Sequence, residues 1–314
     1  MPRILVATAG GLHEFDGDGH VGPTHLGGRS VTTVSPDRDA LWAIVDRSEV
    51  WRTSNGDWTR VCSDAPDHLT CLATTSAGVF VGSAGARLFR VGDDSVEPVA
   101  SFDAAEGRDT WHTPWGGPPD TRSLSEWDEA VYVNVHVGGI LRTEDGGRSW
   151  TPTIDVNADV HQVATAADLV LAACAGGLAT SPDRGKTWDG RAEGLETTYS
   201  RAVAVCGDDV LVSASRGPRG GRAAVYRGSL AGGGFERCRT GLPEWFDDNI
   251  DTYCLDALPD GSFAAIGAAD GRVFASEDAG LSWAEVASGL GPVRRTLVMP
   301  SPDRSRRGGA PAGP

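Results

Sequence analysis

Imidazole is the side chain whose charge changes near neutral pH, so histidines brought to one point can hold a divalent metal or move a proton. Of the seven histidines in this 314-residue chain, His112, His136 and His161 fall where strands open, strands end or loops connect. Their spacing matches no short metal motif, so three roles stay open: metal ligands, acid–base or ligand-contacting groups without a metal, and hydrogen-bonding partners in a polar interior. Arg122, Arg201 and Arg294 (or its neighbour Arg295) occupy comparable strand openings. A planar guanidinium matches a carboxylate bidentately, so this set suits an acidic ligand, and it equally suits neutralising Asp120 and Asp251. Tyr199 and Asp251 join His136 and His161 as groups able to act as catalytic acid or base. Trp115 and Trp245, with Trp111 and Trp127, offer faces on which a sugar or aromatic ring stacks. His13, His20, His25 and His68 read as lying elsewhere.

The elements that position these groups recur along the chain. Seven short apolar runs each break at a small-residue or polar turn, beginning at Ile4, Leu41, Val79, Val131, Val170, Val210 and Phe263. Apolar runs of four to six residues ending in glycine are the mark of buried strands. After three of them comes an eight-residue motif, Ser/Thr-x-Asp-x-Gly-x-Ser/Thr-Trp, at Thr143–Trp150, Ser181–Trp188 and Ser276–Trp283. Asp caps backbone N–H groups, Gly supplies a positive φ, and Trp anchors the returning strand. Worn copies stand at Thr53–Trp58 and Ser229–Phe235.

The eight-residue motif resembles the Asp-box, or BNR, repeat, which occupies the hairpin between the two outer strands of β-propeller blades. The resemblance implies an all-β fold, a seven-bladed propeller of four-stranded antiparallel blades, since repeats near 40–50 residues suit such blades. The first apolar run has no strand before it and Arg294–Met299 has no blade after it, so the two chain ends are expected to pair and close the ring. One domain spans residues 1–300. The polar Arg/Gly/Pro-rich stretch 301–314 is expected to be disordered.

Propeller geometry then places residues on faces. Inner strands start at the mouth of the central channel, second strands return to it, and Asp-boxes lie on the far side, so Asp145, Asp183 and Asp278 read as structural. Residues 111–123 form a long loop before blade 4 and bring His112, Trp115, Asp120 and Arg122 to the mouth. His136 ends the second strand of that blade, matched to Thr8 and Cys174. His161 opens blade 5, Tyr199 and Arg201 open blade 6, Asp251 opens blade 7 after Glu244 and Trp245, and Arg294 opens the closing blade. The resulting set has His136, His161, Tyr199 and Asp251 as catalytic groups. His112, Trp115, Asp120, Arg122, Arg201, Trp245 and Arg294 contact the ligand, and a divalent metal would sit on His112, His136 and His161.

Composition narrows the partners. A formal charge of −15 argues against nucleic acid and anionic membranes. No apolar stretch is long enough to span a bilayer and no signal peptide is visible, which points to a cytoplasmic protein with its six cysteines reduced. Two functions fit. One is a small-molecule or glycan site, an acidic ligand among the candidates, with hydrolase- or lyase-type chemistry at the mouth. The Asp-box resemblance includes sialidases, which hold a carboxylate with three arginines, although this chain lacks their Arg-Ile-Pro motif and has seven blades where they have six. The other is a non-enzymatic scaffold for protein partners, as in propellers similar to photosystem assembly factors and sorting receptors.

Overall fold

The computed structural model describes residues 1–301 apart from Asn55, Trp115 and Ala167. The expectations for Trp115 and for the tail beyond Ser301 fall outside these residues. Seven four-stranded antiparallel sheets form a ring, a seven-bladed β-propeller. The inner strands are Arg295–Met299, Val31–Asp37, Leu69–Thr75, Thr121–Trp127, Val160–Ala166, Tyr199–Cys206 and Leu255–Ala257, for blades 1 to 7 in turn. Neighbouring inner strands pack on one another around the channel. Each apolar run seen in the sequence is a second strand, such as Ala130–Val135, in which every residue is buried. A strand covered on both faces reads as a continuous apolar run because neither face meets water. Fourth strands, such as Val21–His25, are the exposed rim.

Blade 1 is closed by the two ends of the chain. Arg295–Met299 forms its inner strand and pairs antiparallel with Arg3–Thr8, Ile4 facing Val298 and Leu5 facing Leu297. Between blades the core is apolar and aromatic. Phe80, Phe102 and Trp150 meet edge-on between blades 3 and 4, with Phe80 and Phe102 ring centroids 6.4 and 5.2 Å from that of Trp150. The connection into blade 4 carries one turn of helix, Ala100–Asp103, which seats Phe102 against Trp111. No helix is long and apolar enough to cross a membrane.

The three eight-residue turns share one hydrogen-bond pattern. In the first, Asp145 Oδ1 accepts from the N–H groups of Arg148 and Ser149 at 2.9 and 3.0 Å, and Oδ2 accepts from Ser149 Oγ at 2.7 Å. The Thr143 hydroxyl donates to Asp145 and accepts from Gly147 N–H. Asp183 and Asp278 repeat this arrangement. Gly147, Gly185 and Gly280 all have φ between 84° and 89°, the left-handed region that favours glycine. These bonds hold the Asp145 carboxyl well below the usual carboxylate range. The turns join third to fourth strands, at the end of each blade away from the inner-strand openings.

Candidate functional site

The inner strands do more than line the channel. In five consecutive blades the register with the second strand slips near the opening, leaving Thr32, Thr70, Arg122, His161 and, with Ala202, Arg201 outside the ladder. A bulge of this kind bends the strand and re-aims the extra side chain. Repeated around the ring, it delivers one polar residue per blade to the mouth.

A cavity of about 340 Å³ opens there. Its charged lining comes from Arg47, Asp120, Arg122, Asp251 and Arg294, with His68 beside them. Thr252 and Tyr253 also line it. Tyr253, from blade 7, has φ 65° and sends its ring across to blade 4, where the hydroxyl accepts from Leu124 N–H at 2.7 Å and donates to Leu124 C=O at 3.2 Å. Its backbone N–H donates to Gln162 of blade 5 at 2.8 Å, and Arg295 of blade 1 stacks on the ring at 4.0 Å. Four blades therefore hold one tyrosine across the channel as the floor of the cavity.

Arg122 is the telling group. Its Nη1 is buried and has no hydrogen-bond partner within the protein, while the residue lines the cavity. Loss of hydration lowers its pKa, against the pull of Asp251 and Asp120. Thr32 and Thr33 line the same cavity, and their hydroxyls are likewise buried and unpartnered. Arg294 donates to Ser30 Oγ. Arg201 is engaged with Asp251 at 2.9 Å and lies over the Tyr199 ring at 5.5 Å. Partial burial raises the Asp251 carboxyl and the two arginines more than reverse it.

Beside the cavity, blades 4, 5 and 6 bring His136, Asp159, His161 and Tyr199 together. His136 Nε2 stands 3.1 Å and His161 Nε2 3.7 Å from Asp159 Oδ1. The rings of His136 and His161 are 5.4 Å apart, and those of His161 and Tyr199 4.6 Å apart. His161 is fully buried. Its Nδ1 lies 2.7 Å from Ser200 C=O, which only accepts, so Nδ1 carries the proton and Nε2 accepts from the Tyr199 hydroxyl at 2.9 Å. Burial lowers the His161 pKa, outweighing Asp159, so the ring is neutral at pH 7. Burial also opposes charge on Asp159, but the two imidazoles and Arg122 hold its carboxyl below the ordinary range.

The structure thus brings His136, His161, Tyr199, Arg122, Asp120, Asp251, Arg201 and Arg294 to one face, and it corrects several expectations. His112 is exposed, its Nδ1 bonded to Thr110 C=O at 2.8 Å, and it does not join His136 and His161 as a ligand. Asp159 takes that place, two residues before His161 in the same strand opening. His68 is not remote: it precedes the inner strand of blade 3 and lines the cavity. Arg47, from a second-to-third strand turn, also lines the cavity, whereas Arg201 is paired with Asp251 and is not among the lining residues. Trp245 lies among Arg222 and Arg237, 4.3 and 3.4 Å from its ring, and packs on blade 6 instead of facing the cavity. Trp111 is core, and Trp127 packs between blades 4 and 5 under Arg184. The residue equivalent to His136 in blade 5 is Ala175, not Cys174, since Ala175 N–H bonds Asp159 C=O as His136 N–H bonds Asp120 C=O. All six cysteines are buried and unpaired.

No protein-family model matches the chain, nor does any curated protein sequence. Solved structures of similar fold include an ancestral GH74 enzyme, at 15% identity and TM-score 0.60, the match covering 85% of this chain and 38% of that one. The GH74 xyloglucanase from Xanthomonas campestris is 19% identical with TM-score 0.68, over 92% of this chain and 53% of that one. YCF48 from Cyanidioschyzon merolae is 15% identical with TM-score 0.59, over 94% and 90%. At these identities the likeness is one of fold. The chain spans about half or less of the two GH74 chains.

Proposed function

We propose that this propeller binds a small anionic molecule, a carboxylate, at the mouth of its channel and acts on it by hydrolysis or elimination. The observation that carries the proposal is Arg122, which lines the cavity and whose Nη1 is a buried cationic donor with no hydrogen-bond partner in the protein. Buried polar groups are nearly always bonded, and a charged one left unbonded is costly unless something pairs with it. Arg47 and Arg294 line the same cavity. An arginine-lined concavity on a chain of net charge −15 is a local field of opposite sign, which selects and orients an anion.

Tyr199 and His161 supply the proton chemistry. The Tyr199 hydroxyl already donates to a neutral imidazole nitrogen, and burial raises its pKa against the pull of Arg201, so it is held as a protonated acid. Such a pair can pass a proton to or from a bound molecule, as hydrolysis and elimination both require. GH74 hydrolases share the fold, and the three eight-residue turns are read as Asp-boxes on their bonding pattern. Six buried thiols and the acidic surface fit a cytoplasmic protein and no polyanionic partner. Thermal-shift measurements with a panel of small carboxylates and acidic sugars test the reading. At least one should stabilise the wild type, by about 2.7 kcal/mol at a hundredfold excess over Kd, and fail to stabilise Arg122→Met. A panel without effect, or a stabilisation that Arg122→Met retains, refutes it.

A further inference from the structure

The group formed by His136, Asp159 and His161 has the geometry of a metal centre. The nitrogen and oxygen atoms that these residues offer all lie within 4.8 Å of one another. The two His–Asp separations, 3.1 and 3.7 Å, bracket the distance of about 3.3 Å between ligands of a tetrahedral ion with bonds of about 2.0–2.1 Å. Asp159 Oδ1 lies within ion-pair distance of both imidazoles, and the His136 ring is its hydrogen-bonding partner.

The surroundings are those of a ligand set. His161 Nδ1–H is fixed by Ser200 C=O, which commits Nε2 as the lone-pair nitrogen, and metal-bound histidines usually donate their other ring N–H to a carbonyl or carboxylate in this way. Asp159 reaches the site from a left-handed backbone, φ 50°, at the end of the 3₁₀ turn Val156–Ala158, a conformation that Asp tolerates better than most residues. Its side chain is 31% exposed, against 6% for His136 and 0% for His161, so the site is open to solvent on the carboxylate side alone.

We infer that His136, Asp159 and His161 bind one divalent first-row transition metal ion, with zinc as the representative, leaving one coordination position open toward the channel mouth. Two imidazoles and one carboxylate suit Zn²⁺ and its neighbours over the harder Mg²⁺ and Ca²⁺, which prefer all-oxygen shells. When the ion is bound, the Tyr199 hydroxyl gives up the Nε2 lone pair and borders the open position. This inference goes beyond the carboxylate reading and stands without it.

The experiment is calorimetric titration of metal-free, full-length protein with Zn²⁺, paired with the visible absorption of its Co²⁺ form. One ion per chain is expected, with the intense absorption of four-coordinate cobalt. His136→Ala and Asp159→Asn should each weaken binding by at least about 100-fold, since even second-shell losses cost 10–100-fold. Asp159→Asn is isosteric and half-exposed, so it keeps the test valid if His136→Ala fails to fold. The exposed cluster Asp16, Asp18 and His20 is the competing site, and His20→Ala should leave binding unchanged. Arg122→Met, which removes the anion contact and a neighbouring cation, should still bind one zinc ion per chain, so failure of the carboxylate reading and failure of this one are separable. No stoichiometric binding, or binding that survives Asp159→Asn and is lost in His20→Ala, overturns the inference.

Discussion

Arg122→Met separates function from stability by sign. Methionine keeps most of the apolar stem and removes the guanidinium. A buried donor without a partner costs about 1–3 kcal/mol, and more when it is charged. Against this stands the attraction of Asp251 and Asp120. Asp251 is 52% exposed and remains paired with Arg201, and exposed pairs contribute about 0.2–1 kcal/mol each. The lowered pKa of Arg122 has loss of hydration as its largest cause, so the environment disfavours the charge on balance. The substitution should therefore raise the unfolding free energy of the ligand-free protein, by about 1 kcal/mol. Chemical denaturation at pH 7, with unchanged dependence on denaturant, measures this. Ligand-induced stabilisation should disappear in the same variant. If Arg122→Met instead loses 1 kcal/mol or more, Arg122 is a structural tie between blades, and the argument from its unpaired nitrogen fails.

Trp150→Ala and Trp283→Ala remove side chains that are 7% and 5% exposed and should each cost about 3–5 kcal/mol, while half-buried Trp188→Ala should cost clearly less; equal losses in denaturation midpoints would contradict the burial pattern. Burial depresses the His161 imidazole, so below the unfolded value of 6.5 the unfolded chain binds the extra proton first. Stability should be full above that pH and fall as the medium is acidified toward the lower folded value, with depressed Asp159 steepening the loss further down; denaturation curves for His161→Gln should show a flatter first part, and an unchanged slope would refute the assignment. Burial pushes the Cys71 and Cys174 thiols up to about 12, so a thiol reagent at pH 8 should react with neither in the native protein and with both after unfolding.

What the sequence disclosed and what it hid divide along a physical line. Second strands such as Ala130–Val135 are legible because burial on both faces leaves an uninterrupted apolar run that ends at a turn. The turns at Asp145, Asp183 and Asp278 are legible because each bonding pattern is local to eight residues. Bulges leave no such mark: nothing in the residue types around Arg122 or His161 announces a slipped register, although counting from each strand opening places both at the mouth. Asp159 carries no mark in the sequence because its role depends on His136 in the neighbouring blade. His68 follows the loop Ser63–Asp67 and reads as turn polarity, yet the residue before an inner strand opens on the cavity. Arg47 belongs to a turn that looks like any other, and Tyr253 gives no sign of crossing the ring until the ring exists.

The seam in blade 1 governs time as well as shape. Residues 3–8 leave the ribosome almost a full chain ahead of residues 295–299, their partner strand. Until then the inner edge of Arg3–Thr8 presents unpaired backbone beside Ile4, Leu5 and Val6, a template for association with other chains. Pairing of such sequence separation is slow because the loop must be closed before the contacts reward it. The last pairing to form is thus the most delayed step in maturation. It is also the natural place for the ring to begin opening, so the half-life of the folded state should be set at this one junction and not in the Asp-capped turns.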